Sequence, residues 1–493
     1  MFNQKRLVSL AVLGLLVFSL VAASTVAAKT APYEIKWYYP CNGPQRDLEL
    51  IIDEANKYLV PKINATLKMF QMDFGTYAQK LPVLLASGEK FDIFFIASWT
   101  TPSYREAVAK GYLVDITTLW DKYAPKSKAQ LPSGFIYGTQ INGRNYAIPA
   151  NKELAHQWGF VYRADIAKKY GFDMSKIKKF EDIESMLKVV KENAPDMIPL
   201  QNTVNETGYK MLDFDRIVSD TIPAVLYNDS KDMKVFNELE TPEVKQYFRT
   251  VRKWYLAGYI PADAPTMTNF TEPRRAGKVF AYCGSLKPYV GEEVTASLGF
   301  PMEAVAVTPP VVQTRDACGS MMAISRTCKN VPTALKFLEL LNTDPYLMNL
   351  ILYGIEGKHY VKINARQIKM PPGVTRQNTG YRVGNNWVFG NQYITYVWDN
   401  ENPNKWEAYK NWNLTATNAK SRGFNFDFEP VKNEIAACNA VWNEYMPGLT
   451  TGAVDPDTVL PQAIAKFKAA GLDKIIAEAQ RQLDAWLKKT KKK

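Results

Sequence analysis

The chain has 493 residues, a formal charge of +12 and a composition that is 46% hydrophobic and 22% charged. That length exceeds what one hydrophobic core can organise, so two or more domains are expected. The composition is that of a globular chain and not a disordered one, and five cysteines are too few, and odd in number, for a disulfide scaffold.

The first element is a transport signal. Lys5 and Arg6 precede an apolar run over 7–23, and Val26-Ala27-Ala28 closes it with small residues, which predicts cleavage after Ala28. The run is shorter than the ~20 apolar residues of a membrane span. No cysteine stands at the cleavage site, the first being Cys41, so there is no lipobox cysteine to carry a lipid. The mature chain is therefore expected to be exported and soluble, periplasmic or extracellular. Loss of Lys5 and Arg6 lowers the charge from +12 by two, to +10. An exported chain does not meet nucleic acid, and the lysine-rich end from Lys488 reads as a solvated tail.

Residues 34–39 read as a strand, followed by the breakers of Pro40-Cys-Asn-Gly-Pro44. A helix is expected from Asp47 to about Leu59, stopped by Pro61, and a second strand over 65–70. Thr76 opens a helix through Ala86 that Gly88 ends, with Pro82 kinking it. The very apolar stretch 91–97 is a third strand that runs out into Trp99, and a short helix comes next over 104–110. This alternation of strand and helix predicts a parallel sheet with helices on both faces. Ligands of such sheets sit outside the carboxyl ends of the strands. Trp99 then either faces a crevice or covers the sheet edge.

Beyond the Asn142-Gly143 turn, helices are expected over 181–192, 241–257 and 331–341, and strands over 277–282, 304–308 and 320–324. Two more helices, 464–470 and 474–488, end the chain. The strand at 320–324 sets Cys318 and Cys328 too far apart to bond, which points to free thiols. The chemistry of enzymes finds little support. There are only two histidines, His156 and His359, and H-E-x-x-H, G-x-S-x-G, the phosphate-binding loop and G-x-G-x-x-G are all missing. The acid pairs Asp213/Asp215 and Asp455/Asp457 lack the ligand series of a calcium loop. No metal or cofactor is expected.

Several stretches taken together resemble one family. They are YAQKLPVLLASGEKFDIFFIASW (77–99), AVAKGYLVDITTL (107–119), INGRNYAIP (141–149), VYRADIAKKYGFD (161–173) and RKWYLAGYI (252–260). In this order they are similar to family 1 extracellular solute-binding proteins of ABC importers, the sugar-type group. YGIEGKHYVKI (353–363), VFGNQYITY (388–396), GFNFDFEPVKNEIAACNAV (423–441) and GAVDPDTVLP (452–461) resemble a lipoprotein-like branch with an additional C-terminal domain of unknown function. Many members of that branch carry the lipobox cysteine that this chain lacks.

The resemblance implies an α/β, two-lobed periplasmic-binding-protein fold of type II-like form, with three crossings at a hinge and the ligand in the cleft between lobes. By similarity the crossings fall near 146–149, 305–312 and 342–347. Lobe 1 is then 29–148 plus 306–344, lobe 2 is 149–305 plus 345–455, and 456–493 is a helical segment of unassigned lobe. Closing the lobes buries the ligand and presents a new surface to the membrane permease. The expected ligand is an oligosaccharide, the partner an ABC-transporter permease, the state a monomer, and the chain no enzyme. The alternatives are a binder of peptide or another polar solute and a secreted carbohydrate-active enzyme. Sugars offer apolar CH faces to aromatic rings and hydroxyls to polar groups. The implied ligand-binding residues are Tyr39, Asn42 and Trp99 at strand ends of lobe 1. Trp158 and Lys287 come from lobe 2, with Glu356 and His359 of the GIEGKHY motif and Trp387 and Asn391 of NNWVFGNQ.

Overall fold

The computed structural model describes residues 30–267 and 270–490, so the transport signal at 1–28 and the terminal lysines 491–493 lie outside the described residues. Two sheets, each with its own core, carry the architecture. The first sheet has the order β2-β1-β3-β13-β4, with β1 Tyr33–Pro40, β2 Ala65–Met72, β3 Ile93–Ile96, β4 Ala147–Pro149 and β13 Met321–Ile324. β1 pairs in parallel with β2 and β3, while β13 runs antiparallel to both β3 and β4. The four residues of β3, Ile-Phe-Phe-Ile, are all buried, as expected of a strand covered on both faces.

The helices between these strands begin and end where local chemistry dictates. Asp73 accepts from the Thr76 amide at 2.9 Å and starts the helix Phe74–Ser87, which runs through Pro82 to Gly88 at φ +73°. The helix Leu48–Ile63 passes Pro61 and ends one turn later than expected, at Asn64 with φ +50°. Proline in a last turn removes one hydrogen bond without breaking the turns before it. Ser103 and Glu106 form a reciprocal cap that opens the helix Tyr104–Ala109 directly after the Trp99 loop.

The second sheet has the order β11-β5-β10-β6, with β5 Gln157–Arg163, β6 Ile198–Gln201, β10 Val279–Leu286 and β11 Met302–Ala306. β5 is antiparallel to both β10 and β11, and β10 is parallel to β6. A small antiparallel sheet of β7 Phe214–Asp215, β8 Ala224–Tyr227 and β9 Phe236–Asn237 lies beyond it. The C-terminal helices Lys432–Thr451, Pro456–Ala469 and Leu472–Thr490 bury Cys438, Leu460, Phe467 and Ile475 in the core of this second lobe. The segment 456–493 had no assigned lobe, and its described part packs here.

Three segments join the lobes side by side. The first is 150–156, the second contains β12 Val311–Val312, and the third contains β17 Thr417–Asn418. His156 and Val311 exchange two backbone hydrogen bonds of 2.9 Å, and β12 pairs in parallel with β17. The expected 146–149 holds β4, just before the first crossing, and the expected 305–312 ends in β12. The third differs: it lies at β17 and not near 342–347. Asp344 and Pro345 do interrupt a helix, but Asp344 caps the next one, so Val331–Thr343 and Pro345–Tyr353 both stay in the first lobe. Leu347, Ile351, Tyr381, Phe389 and Ala416 all pack into the first core, so most of 345–455 does not join lobe 2 as expected. Residues 361–398 add a small sheet of β14 Val361–Lys362, β15 Gln367–Lys369 and β16 Val397–Trp398. All five cysteines are free, four of them buried. No helix among the described residues is long and apolar enough to cross a membrane.

Candidate functional site

Strand direction fixes where the two lobes face each other. In the first sheet, Ile96 at the end of β3 and Pro149 at the end of β4 both pair with Met321, the residue that begins β13. The first crossing leaves from this edge and the second returns to it, so the loop 97–103 stands at the hinge side. In the second sheet, Gln157 begins β5 and pairs with Leu286, the last residue of β10. Trp158 therefore stands on the facing edge. The cleft lies between these two edges.

The first-lobe wall is aromatic. Trp99 is 43% exposed, and its indole N–H donates to the Gly319 carbonyl at 2.8 Å. Its ring centroid is 6.1 Å from that of Trp387 and 6.3 Å from that of Phe74, while Phe74 and Trp387 are 5.8 Å apart. Phe95 lies buried beneath, 5.7 Å from Trp99. Ser320 holds the Trp387 backbone by a 2.6 Å bond to its carbonyl. The three half-exposed rings form a shelf whose faces suit the CH faces of a sugar.

The opposite wall and the hinge are aromatic and charged. Trp158 is half-buried, its backbone bonded to Thr308 on the second crossing at 2.8 Å. The Lys210 ammonium stands 5.1 Å over its ring. Burial, with Arg315 and Arg216 nearby, pushes that ammonium down to about 8. A small cavity opens between the lobes at the hinge, lined by Ser98 and Arg105 from the first lobe and by Arg216, Asp220 and Arg315 among others. Arg315 pairs with Asp220, and Arg216 with Glu238 at 2.8 Å.

The structure brings Trp99, Trp387 and Trp158 to the cleft edges, engages Asn42 and Lys287 in other contacts at those edges, and leaves Tyr39, His359 and Asn391 buried and Glu356 on the surface. Tyr39 has no exposed surface; its hydroxyl accepts from Gln71 at 2.9 Å, and its ring packs on Trp37 and Phe389. β1 is covered on both faces, so a side chain near its end points into the core. Asn42 packs against the loop at Gly384, its amide bonded to Val383. His359 is buried inside the first lobe, its Nδ1 accepting from the Ile355 amide at 2.9 Å and its Nε2 facing Asp47 at 3.1 Å. Burial lowers its pKa despite Asp47. Glu356 is on the surface, paired with Lys362 at 2.8 Å. Asn391 is buried and bonded to Gln130 at 3.0 Å.

Lys287 belongs to a clasp between the lobes. It lies 3.5 Å from Glu153 and 3.2 Å from Glu293, and Lys405 bridges Glu293 at 3.3 Å and Glu401 at 2.8 Å. Glu293 sits on the second-lobe helix Val290–Leu298. Burial alone would raise its carboxyl, but Lys287 and Lys405 outweigh that and hold it at about 2. A depressed carboxylate stabilises the fold above its unfolded pKa and loses that contribution as pH falls toward the folded value. Glu293→Gln is therefore expected to destabilise the protein by about 2 kcal/mol at pH 7. The gap to the unsubstituted protein should close between about pH 4.5 and 2. Urea unfolding of both proteins across that range checks it; a gap independent of pH would show that the ion pairs contribute nothing.

Phe74, Lys210 and Arg315 at the cleft went unmarked in the sequence. Phe74 stands just past the end of β2, so the strand-end rule that singled out Trp99 could have found it. A lone Lys or Arg leaves no such local pattern. Among the described residues, no group of three or more His, Cys, Asp or Glu side chains is placed to hold a metal ion.

Comparison with known proteins places this geometry. Residues 48–348 match the family model described as bacterial extracellular solute-binding protein, and residues 420–488 match a domain of unknown function, DUF3502. A carbohydrate ABC transporter substrate-binding protein of Streptococcus pneumoniae is 29% identical, over 96% of this chain and 95% of its own length. The crystal structure of the N-glycan transport solute-binding protein NgtS from S. pneumoniae in complex with Man5GlcNAc superposes with a TM-score of 0.83 at 28% identity, covering 93% of this chain and 99% of that one. Its complex with Man1GlcNAc gives the same TM-score and identity, over 92% and 99%.

Proposed function

We propose that this chain, which belongs to the bacterial extracellular solute-binding proteins, captures an oligosaccharide between its lobes and hands it to an ABC-transporter permease. The observation that carries this reading is the shelf of Trp99, Trp387 and Phe74 on one cleft edge, opposite Trp158 on the other. Rings on both sides suit a ligand with apolar faces, and a cleft that joins two lobes suits one several units long. The hinge of three adjacent backbone segments can bend while each core stays intact. The work is capture and release, with no bond made or broken. The protein acts as a monomer, exported by the segment 1–28 and freed by cleavage after Ala28.

The S. pneumoniae relative, whose complexes hold Man5GlcNAc and Man1GlcNAc, makes oligosaccharides of mannose and N-acetylglucosamine the first panel to try. A ligand at 100 times its Kd stabilises the fold it binds by about 2.7 kcal/mol. A thermal-shift screen of the mature chain is expected to show such a rise for at least one oligosaccharide and none for its constituent monosaccharides. A rise with peptides alone would replace the sugar reading with the polar-solute alternative.

A further inference from the structure

The hinge cavity carries an excess of positive charge that the fold itself does not neutralise. It adjoins a second small cavity, with Arg216 and Asp220 on both walls. Four cations line the pair, Arg105, Lys210, Arg216 and Arg315, against two carboxylates, Asp215 and Asp220. Arg315 takes Asp220, and Arg216 takes Glu238 from behind the wall. Glu206, the other acid near Lys210, is taken by Arg274. Asp215 accepts from Ser421, and burial raises its carboxyl, which weakens its claim as a counter-ion. Asp316 lies 3.0 Å from His156.

Two cations are left with neutral partners. Lys210 donates to the Asn205 carbonyl at 3.0 Å, and Arg105 donates to the Phe426 carbonyl at 3.0 Å and the Asn425 side chain at 2.8 Å. A half-buried cation without an acid partner gains a charge-assisted bond when a ligand supplies the opposite charge. Lys210 is also the cation that stands over Trp158 at the cleft edge.

We propose that the saccharide this cleft selects is acidic, with an anionic oxygen group, carboxylate or phosphate ester, received by Lys210 beside Trp158. This rests on the saccharide reading above and narrows its substrate class. The lowered pKa of Lys210 agrees with a site that waits for its counter-charge.

Matched sugar pairs test it by calorimetry with the full mature chain at low salt. One pair is tetragalacturonic acid and its methyl ester; the other is mannobiose with and without a 6-phosphate. At least one acidic member should bind tenfold or more tightly than its neutral match, and the pair it belongs to names the anion. Raising the salt should shrink that preference. Lys210→Met should abolish it, so that the pair binds alike, and Lys210→Arg should restore most of it. If neutral oligosaccharides bind and neither acidic member gains, or if Lys210→Met leaves the preference intact, this inference falls and the saccharide reading stands. If the folded protein binds no sugar of either kind, including the mannose and N-acetylglucosamine panel, the saccharide reading falls and takes this one with it.

Discussion

Trp99→Ala is expected to weaken oligosaccharide binding by about 30-fold, roughly 2 kcal/mol, while the protein stays folded. The side chain is 43% exposed, so its removal empties little of the core. What it removes is one leaf of the shelf with Trp387 and Phe74, together with the bond to Gly319 at the base of the second crossing. Trp99→Phe keeps a ring face and should lose far less. The check is a calorimetric titration of each variant with the tightest-binding sugar, beside a thermal melt without ligand. A Trp99→Ala protein that binds as well as its parent would show that the shelf does not hold the sugar. One that melts far below it would make Trp99 a structural residue.

Gly159→Ala should be the more damaging change to the fold. Gly159 stands next to Trp158 in β5, and a Cβ there would lie 2.1 Å from the Val305 carbonyl oxygen and 2.9 Å from the Ala306 Cα. Backbone atoms of a paired strand cannot yield as a side-chain tip can. The β5–β11 pairing must shift, at a cost of about 3 kcal/mol. Gly284 lies directly across from Gly159 on β10, yet a Cβ there meets nothing closer than 3.4 Å. Gly284→Ala is therefore the control, expected to change stability by less than about 1 kcal/mol. Urea midpoints of the two variants decide it. Because Trp158 and the second crossing hang on this pairing, Gly159→Ala should also weaken sugar binding.

The first half of the architecture was legible because its signals are local. Apolar runs at β1, β2 and β3, punctuated by Pro44, Gly88 and Gly111, leave few alternatives to alternating strands and helices. Trp99 could be marked because a strand as apolar as Ile-Phe-Phe-Ile must be buried, and the residues just after a buried strand emerge at a sheet edge. The same rule misplaced Tyr39. It assigns a residue to the end of a strand but cannot tell which way the side chain turns, and β1 is covered on both faces up to its last residue. The third crossing, expected near 342–347 by similarity, lies elsewhere because Asp344 caps the helix Pro345–Tyr353 and the chain stays in the same lobe. Only the pairing of β12 with β17, more than a hundred residues apart, locates the true crossing. Long-range pairing also explains Lys287. Glu293 lies six residues on, but Glu153 and Tyr409 come from distant stretches, so the sequence offered a lone lysine where the fold builds a clasp.

An oligosaccharide held between the lobes must be given back unaltered. A calorimetric titration of the mature chain with the best sugar of the panel examines this, with the ligand recovered and weighed by mass spectrometry after prolonged incubation. Saturable binding of one sugar per chain is expected, and a recovered ligand of unchanged mass. A shortened ligand would make the protein an enzyme, and the absence of binding heat for every oligosaccharide would end the reading of this cleft as a sugar site.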